Sequence, residues 1–174
     1  MLCVWWNQKV YYELLKPGET ISTKRYQQQL IDLNRSLLKK RPEYQKRQHK
    51  VIFLHDNALS HTTKPVQDTL EALSWEVLSH AAYSPDLAPS DYHLFASMSH
   101  ALAEQRFDSY EDVKKWLDEW FAAKEEDFYW RGIHKLSKKW EKCVTSKKKR
   151  VLVQSSAGTE NRSFIVFTMI STYI

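Results

Sequence analysis

The apolar positions of this chain change their spacing several times, and each change marks an element. Leu2 to Trp6 and Val10 to Leu15 are dense apolar runs that read as two strands. The turn between them is Asn7-Gln8-Lys9; Asn7 tolerates positive φ there, although the Asn-Gly pair of a strong hairpin is absent. Pro17-Gly18 is a turn. From Thr20 to Arg41 the spacing becomes helical, with Tyr26, Leu30, Leu33 and Leu37 or Leu38 on one face, and Pro42 ends the run. Val51-Ile52-Phe53-Leu54 is unbroken and rich in β-branched and aromatic types. That is the habit of a short strand covered on both faces, as in a parallel or mixed sheet flanked by helices.

A helix over about Thr63 to Leu73 follows, capped by Ser60 or Thr62, with Val66, Leu70 and Leu73 inward. Trp75 to Leu78 is a further apolar strand. The proline-punctuated loop from Ser84 ends at Ser90, a good N-cap, and a helix from Asp91 to about Ala103 buries Leu94, Phe95, Met98 and Leu102. Ser109 caps an amphipathic helix to Lys124, lined by Val113, Trp116, Leu117, Trp120 and Phe121. One or two more helices fill 125–146, with Phe128, Trp130, Ile133, Leu136 and Trp140 turned to the core. Strands alternating with helices make the fold class α/β (or α+β): a mixed sheet with helices on both faces.

Composition narrows the class. At 174 residues the chain is one domain with room for a core, and 3 Gly and 5 Pro argue against disorder. Cys3 and Cys143 stand too far apart in sequence to suggest a disulfide framework or a zinc site. No run reaches membrane-spanning length, so no membrane partner is expected. The net charge is +5, but it is uneven. Residues 1–50 carry eleven Lys or Arg against four Asp or Glu, whereas 101–130 carry four against nine. Such asymmetry suits a protein that turns one face to DNA phosphates, although ordinary solvated helix faces would look the same.

The chemistry concentrates at two carboxylates. Asp56 follows the apolar run at 51–54, and ligands in open α/β sheets gather at the carboxyl ends of strands. Asp91 opens the next long helix, with thirty-four residues between it and Asp56, and a strand–helix–strand unit could bring the two together. Paired carboxylates there suit Mg²⁺, a hard cation that takes oxygen ligands. Asn57 beside Asp56 and His61 after it are accessory candidates; His61 could orient Asp56, touch DNA or only cap the helix.

His55-Asp56-Asn57-Ala58, Ser60-His61 and the run Tyr83-Ser84-Pro85-Asp86-Leu87-Ala88-Pro89-Ser90-Asp91-Tyr92-His93-Leu94-Phe95 resemble the catalytic signature of mariner transposases. The thirty-four-residue gap is similar to that family's spacing between its second and third catalytic aspartates, and the likeness covers about Met1 to Ser146. The resemblance implies a ribonuclease H-like fold and DNA cleavage and strand transfer with two divalent metals, Mg²⁺ or Mn²⁺. Asp56 and Asp91 then match catalytic metal ligands. It also implies a partner DNA (transposon ends in the family), pairing with a second transposase copy, and a nuclear location. On this reading, 1–104 is a partial ribonuclease H-like core, 105–146 holds C-terminal helices of the same domain, and 147–174 is a divergent basic and apolar tail.

Two departures shape the expectation. The family's first catalytic aspartate lies in an Asp-Glu-Lys-Trp segment on the first, central strand, and no such segment occurs in this chain. The family's helix-turn-helix region is absent from the sequence as well. The expected fold therefore lacks its first central strand: the hairpin and the Asp56 strand close up directly, or a strand from the tail fills the gap. The expected function is a truncated, inactive catalytic-domain remnant; the alternative is a non-catalytic module that binds DNA non-specifically or binds a partner transposase. Lys147-Lys148-Lys149-Arg150 offers a nuclear-import patch.

Overall fold

The computed structural model describes residues 1–7, 9–40, 51–56, 58–78, 80, 84–145 and 164–170. The strands are β1 (Leu2–Trp6), β2 (Val10–Leu14), β3 (Ile52–Leu54), β4 (Glu76–Leu78) and β5 (Phe164–Ile170). The α-helices are α1 (Thr23–Lys40), α2 (Lys64–Ala72), α3 (Ala96–Leu102), α4 (Tyr110–Ala122) and α5 (Glu126–Thr145). A 3₁₀ turn at Pro85–Leu87 and a π-helical stretch at Ser90–Phe95 precede α3.

One mixed sheet holds all five strands in the order β2-β1-β5-β3-β4. The hairpin is antiparallel, with Leu2 opposite Leu14 and Trp6 opposite Val10. Asn7 closes its turn with its side chain: Oδ1 accepts from the Lys9 amide at 3.0 Å. β3 and β4 run parallel, Ile52 level with Glu76 and Leu54 with Leu78, joined through α2.

The gap expected where the family's first central strand would lie is filled by β5. This strand comes from the tail and lies between β1 and β3, antiparallel to the first (Trp6 opposite Val166) and parallel to the second (Leu54 level with Val166). The physical reason is edge satisfaction. Without β5, β1 and β3 would each bury a row of unpaired N–H and C=O groups in the middle of the molecule, and such groups are costly without partners. Of the two arrangements the sequence left open, the tail-filled one is realised.

The period of two along β1 sorts its side chains into two cores. Leu2, Val4 and Trp6 pack with Leu54, Leu94, Phe95, Met98 and the inward faces of α4 and α5. Cys3 and Trp5 pack on the other face with Phe53, Tyr26 and Leu30 of α1, and Val66 and Leu70 of α2. Helices thus cover both faces, which is why β1 and β3 are apolar at every position. Tyr12 Oη donates to Asp118 at 2.6 Å and Tyr110 Oη to the Leu14 carbonyl at 2.6 Å, fastening α4 to the hairpin.

Three smaller expectations are revised. The residue preceding α2 is Thr63, not Ser60 or Thr62, and no side chain caps that helix. Ser90 does not cap either: its buried hydroxyl accepts the Trp6 indole N–H at 2.9 Å, and Pro89 takes the cap position. Trp130 is 48% exposed and stacks on His134 of the next turn, ring centroids 3.9 Å apart, instead of turning to the core. Ser109 caps α4 as expected, accepting from the Asp112 amide at 3.1 Å. Among the described residues no helix is long and apolar enough to cross a membrane.

Candidate active site

The site is built where β3 ends. Leu54 of β3 packs in the core with Met98 of α3, while Phe53 packs on the other face with Tyr26 of α1. His55 stacks on Phe53, centroids 5.3 Å apart, and its Nδ1 lies 3.4 Å from the Tyr26 hydroxyl of α1. Burial and the neighbouring His61 push His55 down to about 4, so it is neutral at physiological pH.

Asp56 is gripped by its own loop. Its Oδ1 accepts the Ala58 amide at 3.2 Å and lies 2.5 Å from His61 Nδ1. A carboxylate facing a ring nitrogen assigns the proton to that nitrogen, so His61 is the donor. His61 is 1% exposed, and its backbone amide donates to Ala58 O at 2.8 Å, closing the turn. Tyr26 lies flat against its imidazole, centroids 3.9 Å apart. Burial alone would raise the Asp56 carboxyl, but the His61 hydrogen bond and charge, the Ala58 amide and His55 together hold it below its ordinary value. Of the three readings of His61, capping α2 is not seen, since Thr63 holds that position, and the contact with Asp56 is present.

Asp91 is held by a frame instead of by donors. It occupies the first turn of the π-helical stretch, where its amide bonds Ala88 O at 2.9 Å. Its neighbours tie that stretch down. Trp6 bonds Ser90, Tyr92 Oη donates to Gly132 O at 2.6 Å, and His93 Nε2 meets Phe128 O at 2.8 Å. Lys139 sits over the Tyr92 ring, 4.3 Å from its centre. Gly132 is needed for this approach: a Cβ there would lie 2.3 Å from His93 Cδ2 and 2.8 Å from Trp6 Cη2. The wider π-turn and the glycine together let the segment that carries Asp91 settle against α5; π-turns inside helices are frequent at functional sites.

The two carboxylates feel each other. Burial first, and the negative charge of Asp56 second, push Asp91 up to about 6. Asn57 lies outside the described residues, as do Lys147 to Arg150. Glu13 on β2 is committed elsewhere, to Arg25 at 2.6 Å and Gln29 at 2.5 Å. Among the described residues no group of three His, Cys, Asp or Glu converges as a metal cluster. β5, level with the Asp56 strand, contributes no acidic residue. Behind His61, a cleft of about 340 Å³ opens between α2 and β4, lined by His55, Thr62, Glu71, Trp75 and His80 among others. Sequence reasoning did not single out Tyr26, Ser90 or Gly132 for the site; each matters through a contact to a residue 35 or more positions away.

Known proteins share this fold. The catalytic domain of the Mos1 mariner transposase superposes with a TM-score of 0.82 at 78% identity, over 86% of this chain and 76% of that chain. The chain belongs to the mariner transposase family. A family model described as "Transposase (partial DDE domain)" matches residues 1–47. The mariner Mos1 transposase of Drosophila mauritiana is 79% identical over 148 residues, which are 84% of this chain and 43% of that protein. The human histone-lysine N-methyltransferase SETMAR is 36% identical over 146 residues, 83% of this chain and 21% of that protein. This mariner chain thus spans less than half the length of either relative. Solved Mos1 structures include the catalytic domain with Mn or Mg, a pre-cleavage transpososome (TM-score 0.82, 77% identity) and paired-end complexes. The match to the Mos1 catalytic domain makes the sheet described above a ribonuclease H-like one, as expected from the sequence.

Proposed function

We propose that this chain supplies the Asp56–Asp91 portion of a mariner transposase catalytic centre, which acts on a DNA phosphate with Mg²⁺ or Mn²⁺. The observation that carries the reading is the 78% identity with the Mos1 catalytic domain; the push of Asp91 up to about 6, by burial first and the negative charge of Asp56 second, supports it. The donor set fits a hard divalent cation: both groups offer oxygen, and their negative charges repel until a cation lies between them. Asp56 and Asp91 would hold it. When bound, such a cation polarises a phosphoryl oxygen and lowers the pKa of an attacking water or 3′-hydroxyl. The residues around it do the positioning. His61 and Ala58 fix one oxygen of Asp56, and the Trp6–Ser90 and Tyr92–Gly132 bonds fix the turn that carries Asp91.

With two carboxylates, the 174-residue polypeptide is proposed to bind a cation and DNA without cutting. Two cations a few ångströms apart repel strongly, and a third carboxylate offsets that repulsion in two-metal centres. β5 occupies the strand position beside β3 and carries no acidic residue over Phe164–Ile170. DNA binding is proposed to be non-specific, carried by phosphate contacts and weakened steeply by salt. Pairing with a second transposase copy and a nuclear location remain part of the same proposal.

A supercoiled-plasmid assay with Mg²⁺ or Mn²⁺ tests it, with Asp56→Ala as the contamination control. No nicking above that control is expected from the parent polypeptide. Nicking that disappears in Asp56→Ala would show that two carboxylates suffice, and the binding-only assignment would fall.

A further inference from the structure

The loop from Asp56 to His61 spends two donors on one oxygen of one carboxylate. Oδ1 takes the Ala58 amide and the His61 imidazole, while among the described residues no hydrogen bond falls on Oδ2. Fixing one oxygen stops the carboxylate from rotating about its Cβ–Cγ bond. The imidazole is itself locked: it is 1% exposed, its amide closes the 58–61 turn, and Tyr26 covers its face. Tyr26 is fully buried on α1, so the chain from α1 through His61 to Asp56 is rigid from the core outward. A histidine that only capped α2 would not need any of this, and the cap position belongs to Thr63.

We propose that His61 is the positioning residue of the metal-binding carboxylate: it holds Asp56 Oδ1 and so leaves Oδ2 as the oxygen that a divalent cation would take. The inference rests on the assignment of Asp56 and Asp91 as cation ligands. It adds that affinity for the cation is set by a group that never touches it. Outer donors of this kind matter because a ligand free to rotate loses ordering entropy on binding, and removing one typically weakens metal affinity by about 10–100-fold.

The test is Mn²⁺ binding by the 174-residue polypeptide, read by electron paramagnetic resonance of free Mn²⁺ at pH 7.5. Asp56→Asn first checks the underlying assignment. Wild-type binding that Asp56→Asn leaves unchanged would sink the cation site and this inference with it. Given a site, His61→Phe keeps a ring under Tyr26 but removes the donor, and it should weaken Mn²⁺ by about 10–100-fold. His61→Asn places an amide N–H close to where Nδ1 stands and should recover affinity to within about threefold of wild type. Wild-type affinity in His61→Phe, or equal loss in both variants, would make His61 a packing residue and overturn the proposal. A readout on unmutated protein covers the case in which His61→Phe does not fold. Titrating Mg²⁺ should move the ¹⁵N resonance of His61 Nδ1 in wild type and leave it still in Asp91→Asn; a resonance that ignores Mg²⁺ overturns the proposal.

Discussion

Asp56 and Asp91 are treated in opposite ways by the residues around them. Asp56 receives two hydrogen bonds from its own loop and sits below its ordinary pKa; Asp91 receives none from the described residues and is pushed up to about 6. The first is fixed by local sequence, within five residues of itself. The second is fixed by long-range anchors on its neighbours, Trp6 to Ser90 and Tyr92 to Gly132. One carboxylate is kept charged and oriented, and the other is held in place but left electrostatically unsatisfied. Pairs whose environments split their pKa values in this way mark sites where charge is to be handled. Here the split means that Asp91, not Asp56, gains most from an incoming cation.

The sharpest way to break the comparison is to remove what both groups stand on. Ending the polypeptide at Ser163 deletes β5 and exposes the inner edges of β1 and β3 together. The cooperative thermal transition seen by near-ultraviolet circular dichroism is expected to vanish; a transition of unchanged midpoint would mean that the sheet does not need its middle strand. Next in size is Gly132→Ala, which strikes only the Asp91 frame. Its Cβ would overlap His93 and Trp6, and the crowding should cost about 2 kcal/mol in urea unfolding despite the better helix propensity of alanine.

The smallest effects are the most telling, because their signs differ. Asp56 has a lowered pKa in the fold, so its ionised form stabilises the protein above about pH 4, and that contribution is lost as pH falls below the ordinary carboxylate value. Asp56→Asn should therefore cost about 1 kcal/mol at pH 7.5. Asp91 has a raised pKa, so its protonated form is the favoured one. That stabilisation is complete below about pH 4 and is lost as pH rises through about 6. Asp91→Asn should accordingly raise metal-free stability at pH 7.5 by about 1 kcal/mol, after allowance for the solvent that still reaches this half-buried group, and match wild type near pH 4. Urea midpoints at the two pH values decide it; equal signs for the two variants would erase the contrast.

The same contrast explains what the sequence could and could not disclose. The hairpin, β3, α2 and the amphipathic α4 are legible because each is set by local periodicity, and Asp56 and Asp91 are legible because they punctuate those patterns. Ser90 was misjudged by the same local logic. A serine before a helix looks like a cap, and only the fold brings the Trp6 indole to its hydroxyl. Trp130 obeys helical spacing but is left exposed. The strand at Phe164–Ile170 has an apolar signature, yet nothing local says that it belongs between β1 and β3.

That insertion also has a consequence in time. The contacts of Trp6 with Val166 and of Leu2 with Ile170 span nearly the whole chain, and pairings of such sequence separation form late and slowly. On the ribosome, the hairpin and the β3–α2–β4 unit emerge long before residue 164. Until then their inner strand edges stand open to any other extended chain. The interval between translation of Leu54 and of Phe164 is when a nascent chain of this design is most exposed to aggregation, and when chaperone protection would matter most.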